Sequence, residues 1–122
     1  MLIEVGSKFG VNFRLYIKHE GVNPTGTHKD RIAKLHIAKA RFLNFKKVVA
    51  ASCGNFGASL AYFAKLFGLE VTIFIPESFE SPRVKEIEHL GASLKRIRAT
   101  YEECVLESSE YAKKEVYYDA NP

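Results

Sequence analysis

Two short runs, Val48-Val49-Ala50-Ala51 and Val71-Thr72-Ile73-Phe74-Ile75, constrain what this chain can fold into more than any other feature. Both are almost continuously apolar, the pattern of parallel strands covered on both faces. Between them, residues 56–67 (Phe-Gly-Ala-Ser-Leu-Ala-Tyr-Phe-Ala-Lys-Leu-Phe) carry one charge, Lys65. A helix there is therefore largely buried, and Gly68 ends it as a C-cap. Strand, buried helix, strand is a βαβ unit.

The alternation continues on both sides. Residues 29–44 hold helix formers with few breakers. Ser81 followed by Pro82 opens a helix that stops at Gly91, and Thr100 with Glu103 forms a capping box that opens another to about Lys114. Leu94–Arg98, Arg14–Lys18 and Glu115–Tyr118 are further strand candidates. The expected fold is α/β, a three-layer parallel sheet with helices on both faces.

The 122 residues are 47% hydrophobic, enough for one soluble domain with a core. No apolar run approaches the ~20 residues that span a bilayer. The start, Met1-Leu-Ile-Glu-Val-Gly, is too short and acidic for a secretory signal, so a cytoplasmic setting without a membrane partner is expected. Cys53 and Cys104 make no disulfide framework and read as buried small apolar residues, and no Cys/His spacing suits a metal. The net charge of +4 comes from scattered basic residues interleaved with acidic ones from position 77 onward. Solvated helix faces account for that pattern better than a phosphate track, and no nucleic-acid partner is expected.

One lysine does not fit a solvated face. Asn23-Pro24-Thr25-Gly26 is a turn leading into the first helix, which Thr25 or Thr27 can cap. At ~100° per residue, Lys29 projects with Ile32, Ala33, His36, Ile37, Ala40 and Leu43, while Arg31, Lys34 and Arg41 gather opposite, so Lys29 stands on the apolar arc flanked by His28 and the Asp30-Arg31 pair. A lysine stem snorkelling along apolar surface explains a lone case. A cation in the first helical turn, however, opposes the helix dipole at ~0.3–1 kcal/mol. Such a position suits a lysine used for its amine chemistry.

The second motif follows the strand at 48–51: Ser52-Cys53-Gly54-Asn55-Phe56-Gly57 opens the buried helix. A glycine-bearing turn at a helix N-terminus presents backbone N–H groups suited to an anion, and Asn55 adds a neutral donor and acceptor. The alternative is a capped turn with glycines for tight packing. The motif is not G-x-G-x-x-G, so a dinucleotide site is weakly supported.

Taken together, these motifs resemble the pyridoxal-phosphate enzymes of the tryptophan synthase β type, fold type II. Lys18-His-Glu-Gly-Val-Asn-Pro-Thr-Gly-Thr-His-Lys29-Asp-Arg resembles the segment ending in that family's cofactor lysine. Ser52-Cys-Gly-Asn55 resembles the loop that sets an asparagine beside the cofactor's 3′-oxygen. Ile75-Pro76-Glu77, Ser81 to Lys85 and Leu90-Gly-Ala resemble the strand, turn and helix that follow. Within the family, Asn23-Pro-Thr-Gly and Tyr118-Asp-Ala-Asn-Pro122 look most like threonine synthase. Lys29-Asp-Arg-Ile-Ala is also similar to cysteine synthase, a β-replacement enzyme, and a non-catalytic α/β ligand-binding module is the reading from a different class.

The resemblance implies pyridoxal 5′-phosphate as cofactor, Lys29 as the catalytic Schiff-base lysine and Asn55 as a second cofactor contact. It implies that Ser52, Cys53, Gly54, Asn55 and Phe56 bind the carboxylate of a small amino-acid substrate, O-phosphohomoserine in threonine synthases. It further implies that residues 1–22 belong to a large domain, with 23–44 the lysine turn and helix and 45–118 the small domain. Members of the family are far longer, and their glycine-rich loop for the cofactor phosphate has no counterpart here, since no glycine follows Gly91. The expectation is therefore a largely inactive N-terminal fragment, or half of a split enzyme. It would be completed by a companion chain, or come from a parent that forms a homo-oligomer.

Overall fold

The computed structural model describes residues 1–121. The elements in chain order are β1 (Leu2–Glu4), β2 (Tyr16–Lys18), α1 (Lys29–Phe42), β3 (Lys47–Ala51), α2 (Asn55–Phe67), β4 (Glu70–Pro76), α3 (Pro82–His89), β5 (Ser93–Ile97), α4 (Tyr101–Lys114) and β6 (Tyr118–Asp119). Strands β5-β4-β3-β6 form one parallel sheet in that order.

The period of two within the strands separates two layers of core. Val48 and Ala50 of β3, with Val71, Ile73 and Ile75 of β4, pack against α1, α2 and α3. Val49, Ala51 and Phe74 face the other way and meet Cys104 and Ala112 of α4. The chain is the expected three-layer α/β fold. Its helix ends follow local chemistry. Gly68 closes α2 in the left-handed conformation at φ 71°, where a Cβ would be strained. The Ser81 hydroxyl accepts from Val84 N, and Thr100 and Glu103 form the reciprocal capping box.

Three expectations need correction. Arg14–Lys18 does not join the parallel sheet: Tyr16–Lys18 pairs antiparallel with Leu2–Glu4 in a separate two-stranded ribbon. The strand expected at 115–118 is reduced to Tyr118–Asp119. Val116 turns left-handed at φ 56° while Tyr117 N still donates to Ala112 O, so the end of α4 occupies residues that read as strand. The buried stripe of α1 begins at Asp30, not at Lys29, and continues through Ala33, Ile37 and Ala40, while Leu43 is exposed. No helix is long and apolar enough to cross a membrane among the described residues.

Candidate functional site

From β3 the chain steps outward through β4 to β5. Helix α4 then carries it back over the other face of the sheet to β6, on the far side of β3. The strand order therefore reverses at β3, and the space beyond the carboxyl ends of β3 and β6 is where open α/β sheets hold ligands. A cleft of about 460 Å³ lies there. Its walls are Lys29, Ile32 and His36 of α1, the turn Ser52-Cys53-Gly54-Asn55-Phe56, Tyr101 at the start of α4, and Ala120. All six residues singled out in the sequence meet in this one cleft. Ile32 and His36 share the arc of Lys29 that the helical period gives, whereas Tyr101 and Ala120 were not anticipated there.

The turn is built around Ser52, which is buried at the end of β3. Its hydroxyl accepts from Gly57 N at 2.8 Å and, more weakly, from Gly54 N at 3.4 Å. Gly57 is required by packing. A Cβ there would stand 2.8 Å from Ile87 Cδ1 and 3.2 Å from the Ser52 carbonyl oxygen. At Gly54 a Cβ would meet nothing within 4 Å, so its small size leaves the cleft open without serving the core. The amides of Asn55 and Phe56, the first residues of α2, find no acceptor among the described residues. They form a positive helix terminus facing the cleft. The Asn55 side chain is exposed, while Cys53, Gly54 and Phe56 are half-buried.

Lys29 is the first residue of α1 and is half-buried. Its backbone N–H donates to Thr27 Oγ1 at 3.3 Å. Thr25 does not cap the helix. Its hydroxyl and its N–H both donate to the Asp30 carboxylate, the latter at 2.8 Å, and the Ser59 hydroxyl donates to the same carboxylate at 2.6 Å. Asp30 and Arg31 therefore do not act as a pair beside the lysine. Arg31 turns outward to Glu20 at 2.8 Å, and Arg31 together with Asn23 holds the Glu20 carboxyl at about 2.

Deeper along α1, His36 Nδ1 lies 3.1 Å from the Tyr118 hydroxyl, and the imidazole meets the Phe56 and Tyr118 rings edge-on. Burial, with help from the Lys39 charge and against Asp119, lowers the His36 pKa below its ordinary value. Burial raises the Cys53 thiol pKa, which favours its protonated form. Cys53 is thus a half-buried cleft wall, whereas Cys104 is fully buried as expected. The Tyr101 hydroxyl donates to Ala51 O at 3.4 Å, and burial raises its pKa. Next to Ala120, Asn121 ties the chain after β6 to β3 and α4: its Oδ1 accepts from Ala51 N at 2.8 Å, and its Nδ2 donates to Ser108 and Ser109 of α4. Among the described residues, no cluster of three or more His, Cys, Asp or Glu side chains could hold a metal ion.

Residues 2–122 match the family model described as pyridoxal-phosphate dependent enzyme. The chain is similar to threonine synthase of Methanosarcina acetivorans, 33% identical over 102 residues, which is 83% of this chain and 25% of the relative. It is also similar to the 2-amino-4-ketopentanoate thiolase beta subunit of an unknown prokaryotic organism, 39% identical over 89 residues, 73% of this chain and 19% of the relative. Among solved structures, the processed form of threonine deaminase isoform 2 from Solanum lycopersicum superposes with a TM-score of 0.84 at 23% identity. That alignment covers 98% of this chain and 33% of the other, a likeness of fold. The chain spans about a quarter of the length of the Methanosarcina relative.

Proposed function

We propose that this chain, which belongs to the pyridoxal-phosphate dependent enzyme family, carries the lysine and substrate-carboxylate half of a pyridoxal 5′-phosphate site of the threonine synthase type. The observation that carries this reading is that Lys29 and the turn 52–56 wall the same cleft at the switch point of the sheet.

The residues fit the group. The cleft falls within the ~300–1,000 Å³ usual for small-molecule sites. It offers a half-buried amine at Lys29, a neutral amide side chain at Asn55, apolar walls at Ile32 and Phe56, and two free N–H groups at a helix start. Lys29 would hold the cofactor's aldehyde carbon, and Asn55 would hydrogen-bond its 3′-oxygen. When bound, pyridoxal phosphate supplies the electron sink for carbanion chemistry next to an amino group.

The chain's own contributions follow from its geometry. The amides of Asn55 and Phe56 bind the substrate carboxylate at the dipole end of α2, where the negative charge is favoured. The Ser52 hydroxyl keeps those amides aimed at the cleft by holding the turn closed through Gly57 N. Ile32 and Phe56 shield the amine side from water. Lys29 Nζ, when free of the cofactor, would take and return protons at the substrate Cα and Cβ.

The substrate class we assign is O-phosphohomoserine, converted to threonine and phosphate. The likeness to threonine synthase over 83% of the chain supports it. We assign the grip on the cofactor phosphate to parts of the enzyme outside these 122 residues, in the same polypeptide or in a companion chain. The setting we expect is the cytoplasm, and the assembly a homo-oligomer.

Two experiments test this reading. Pyridoxal phosphate added to the chain, reduced with borohydride and mapped by peptide mass should label Lys29 ahead of the other lysines. Equal labelling of exposed lysines with none at Lys29 would point to a non-catalytic module. In the complete enzyme, phosphate release from O-phosphohomoserine is expected. Turnover of O-acetylserine instead would assign a cysteine synthase-like β-replacement, the second reading that Lys29-Asp-Arg-Ile-Ala favours.

A further inference from the structure

Asp30 is 3% exposed, and none of the ion pairs among the described residues includes it. A carboxylate buried without a cation is costlier than an apolar side chain of the same size, so stability is not what this position maximises. What it provides is direction. Both hydroxyls, of Thr25 and Ser59, are aimed at Oδ1, and Thr25 N–H is aimed at Oδ2. The Thr25 carbonyl in turn accepts from Arg83 Nη2 at 3.1 Å, so every polar group of Thr25 is tied.

The partners lie on the two halves of the cleft. Thr25 belongs to the turn that delivers Lys29, and Asp30 is the neighbour of Lys29 in the first turn of α1. Ser59 stands one helical turn beyond Asn55 on the same face of α2, so fixing Ser59 fixes the rotation of the helix end that bears Asn55 and the free amides. We propose that Asp30 is a positioning residue: its carboxylate clamps the Thr25 turn to Ser59 of α2 and so sets the Lys29 amine relative to Asn55. The proposal rests on the reading of the cleft as a pyridoxal phosphate site.

An asparagine fits this place less well than the carboxylate. If its oxygen takes the two hydroxyls, its NH2 confronts the Thr25 N–H, donor against donor; in the reverse orientation the NH2 donates to the two hydroxyl oxygens, which lie 3.0 Å apart, and one hydroxyl proton is left without an acceptor. Three donors converging from two elements require acceptors on both oxygens.

The test uses the 122-residue chain with pyridoxal phosphate as the probe. Two quantities are read for each variant: the rate of borohydride-trapped labelling at Lys29 relative to the exposed Lys114, and the melting temperature. Misplacing a reacting group by ~1 Å costs on the order of a hundredfold. Asp30→Asn, Ser59→Ala and Thr25→Val should therefore lower the Lys29 preference by roughly tenfold or more, and Thr25→Ser should restore it. Should Asp30→Asn fail to fold, Ser59→Ala and the two Thr25 variants decide. If those variants melt lower yet keep the parent's Lys29 preference, Asp30 is a structural anchor only and the clamp is overturned. If the parent chain itself shows no preference for Lys29, the cofactor reading falls, and the clamp with it.

Discussion

Nδ1 of His36 stands 3.1 Å from the hydroxyl of Tyr118, joining the middle of α1 to the edge strand that closes the cleft. The contact places a titratable group where the two sides of the site meet, and it gives the fold a dependence on pH. The His36 pKa is lowered in the folded state, chiefly by burial, so the unfolded chain binds the proton first. Stability from this group is complete above its ordinary value of 6.5 and is lost as pH falls through and below that value. Melting temperatures at pH 7.5 and 5.5 should differ more for the parent than for His36→Gln. An equal difference in both would remove His36 as the origin.

A second window opens in acid. Glu20, held at about 2 by Arg31 and Asn23, has an ordinary value of 4.5. Its contribution is present above 4.5 and disappears as pH falls towards 2. Acid titration followed by circular dichroism should show the parent losing more stability than Glu20→Gln between pH 4.5 and 2.5. The two variants should be silent in each other's window.

Gly54 and Gly57 should part company under the same substitution. Gly57→Ala drives a Cβ towards Ile87 and the Ser52 carbonyl, and overpacking of this kind costs ~1–3 kcal/mol. Gly54→Ala meets open space, so its melting temperature should stay near the parent's. The new methyl stands at the cleft mouth, and labelling of Lys29 by pyridoxal phosphate should slow. A Gly54→Ala chain that melts early would show that the turn conformation itself needs glycine.

Ser52→Ala removes the acceptor for Gly57 N–H in a buried turn, and an orphaned buried donor costs ~1–3 kcal/mol. Urea denaturation should report that loss. Ser52→Thr, which restores an oxygen, should recover part of it. If Ser52→Ala unfolds at the parent's urea midpoint, another group satisfies the amide.

Asn121 makes a comparable prediction at the other wall. Its amide accepts from Ala51 N and donates to two serines of α4, so Asn121→Ala should destabilise by ~1–3 kcal/mol and expose Cys53 to thiol reagents faster. Unchanged thiol reactivity would mean that the β6 wall stays in place without it.

Much of this architecture was readable because it is written locally. The capping box at Thr100 and Glu103, the Ser81 cap, the apolar runs of β3 and β4, and the turn 52–57 each depend on residues within a few positions of one another. Lys29 was legible for the same reason, standing where a charge conflicts with its helix. What escaped depends on distance in sequence. Asp30 read as the partner of its neighbour Arg31, because the 28 residues between Asp30 and Ser59 hide their meeting. Tyr101 and Ala120 reach the cleft only because α4 packs across β3, which no periodicity reveals, and the contact of His36 with Tyr118 joins positions 82 apart. Strand β6 was misplaced because the left-handed turn at Val116 consumes residues whose composition suits a strand.

The return of α4 also fixes an order of events. Lys29 and the turn 52–57 are in place once α1, β3 and α2 have packed, with only short loops to close. The Ala120 wall requires Tyr118 to pair with Val48, seventy residues upstream, and closing so long a loop is slow. A chain still emerging during synthesis would therefore hold Lys29 beside the turn 52–57 before it owns a closed pocket. On the proposed reading, capture of pyridoxal phosphate at Lys29 would become selective only when the final strand has docked, and so would serve as a timestamp of that event.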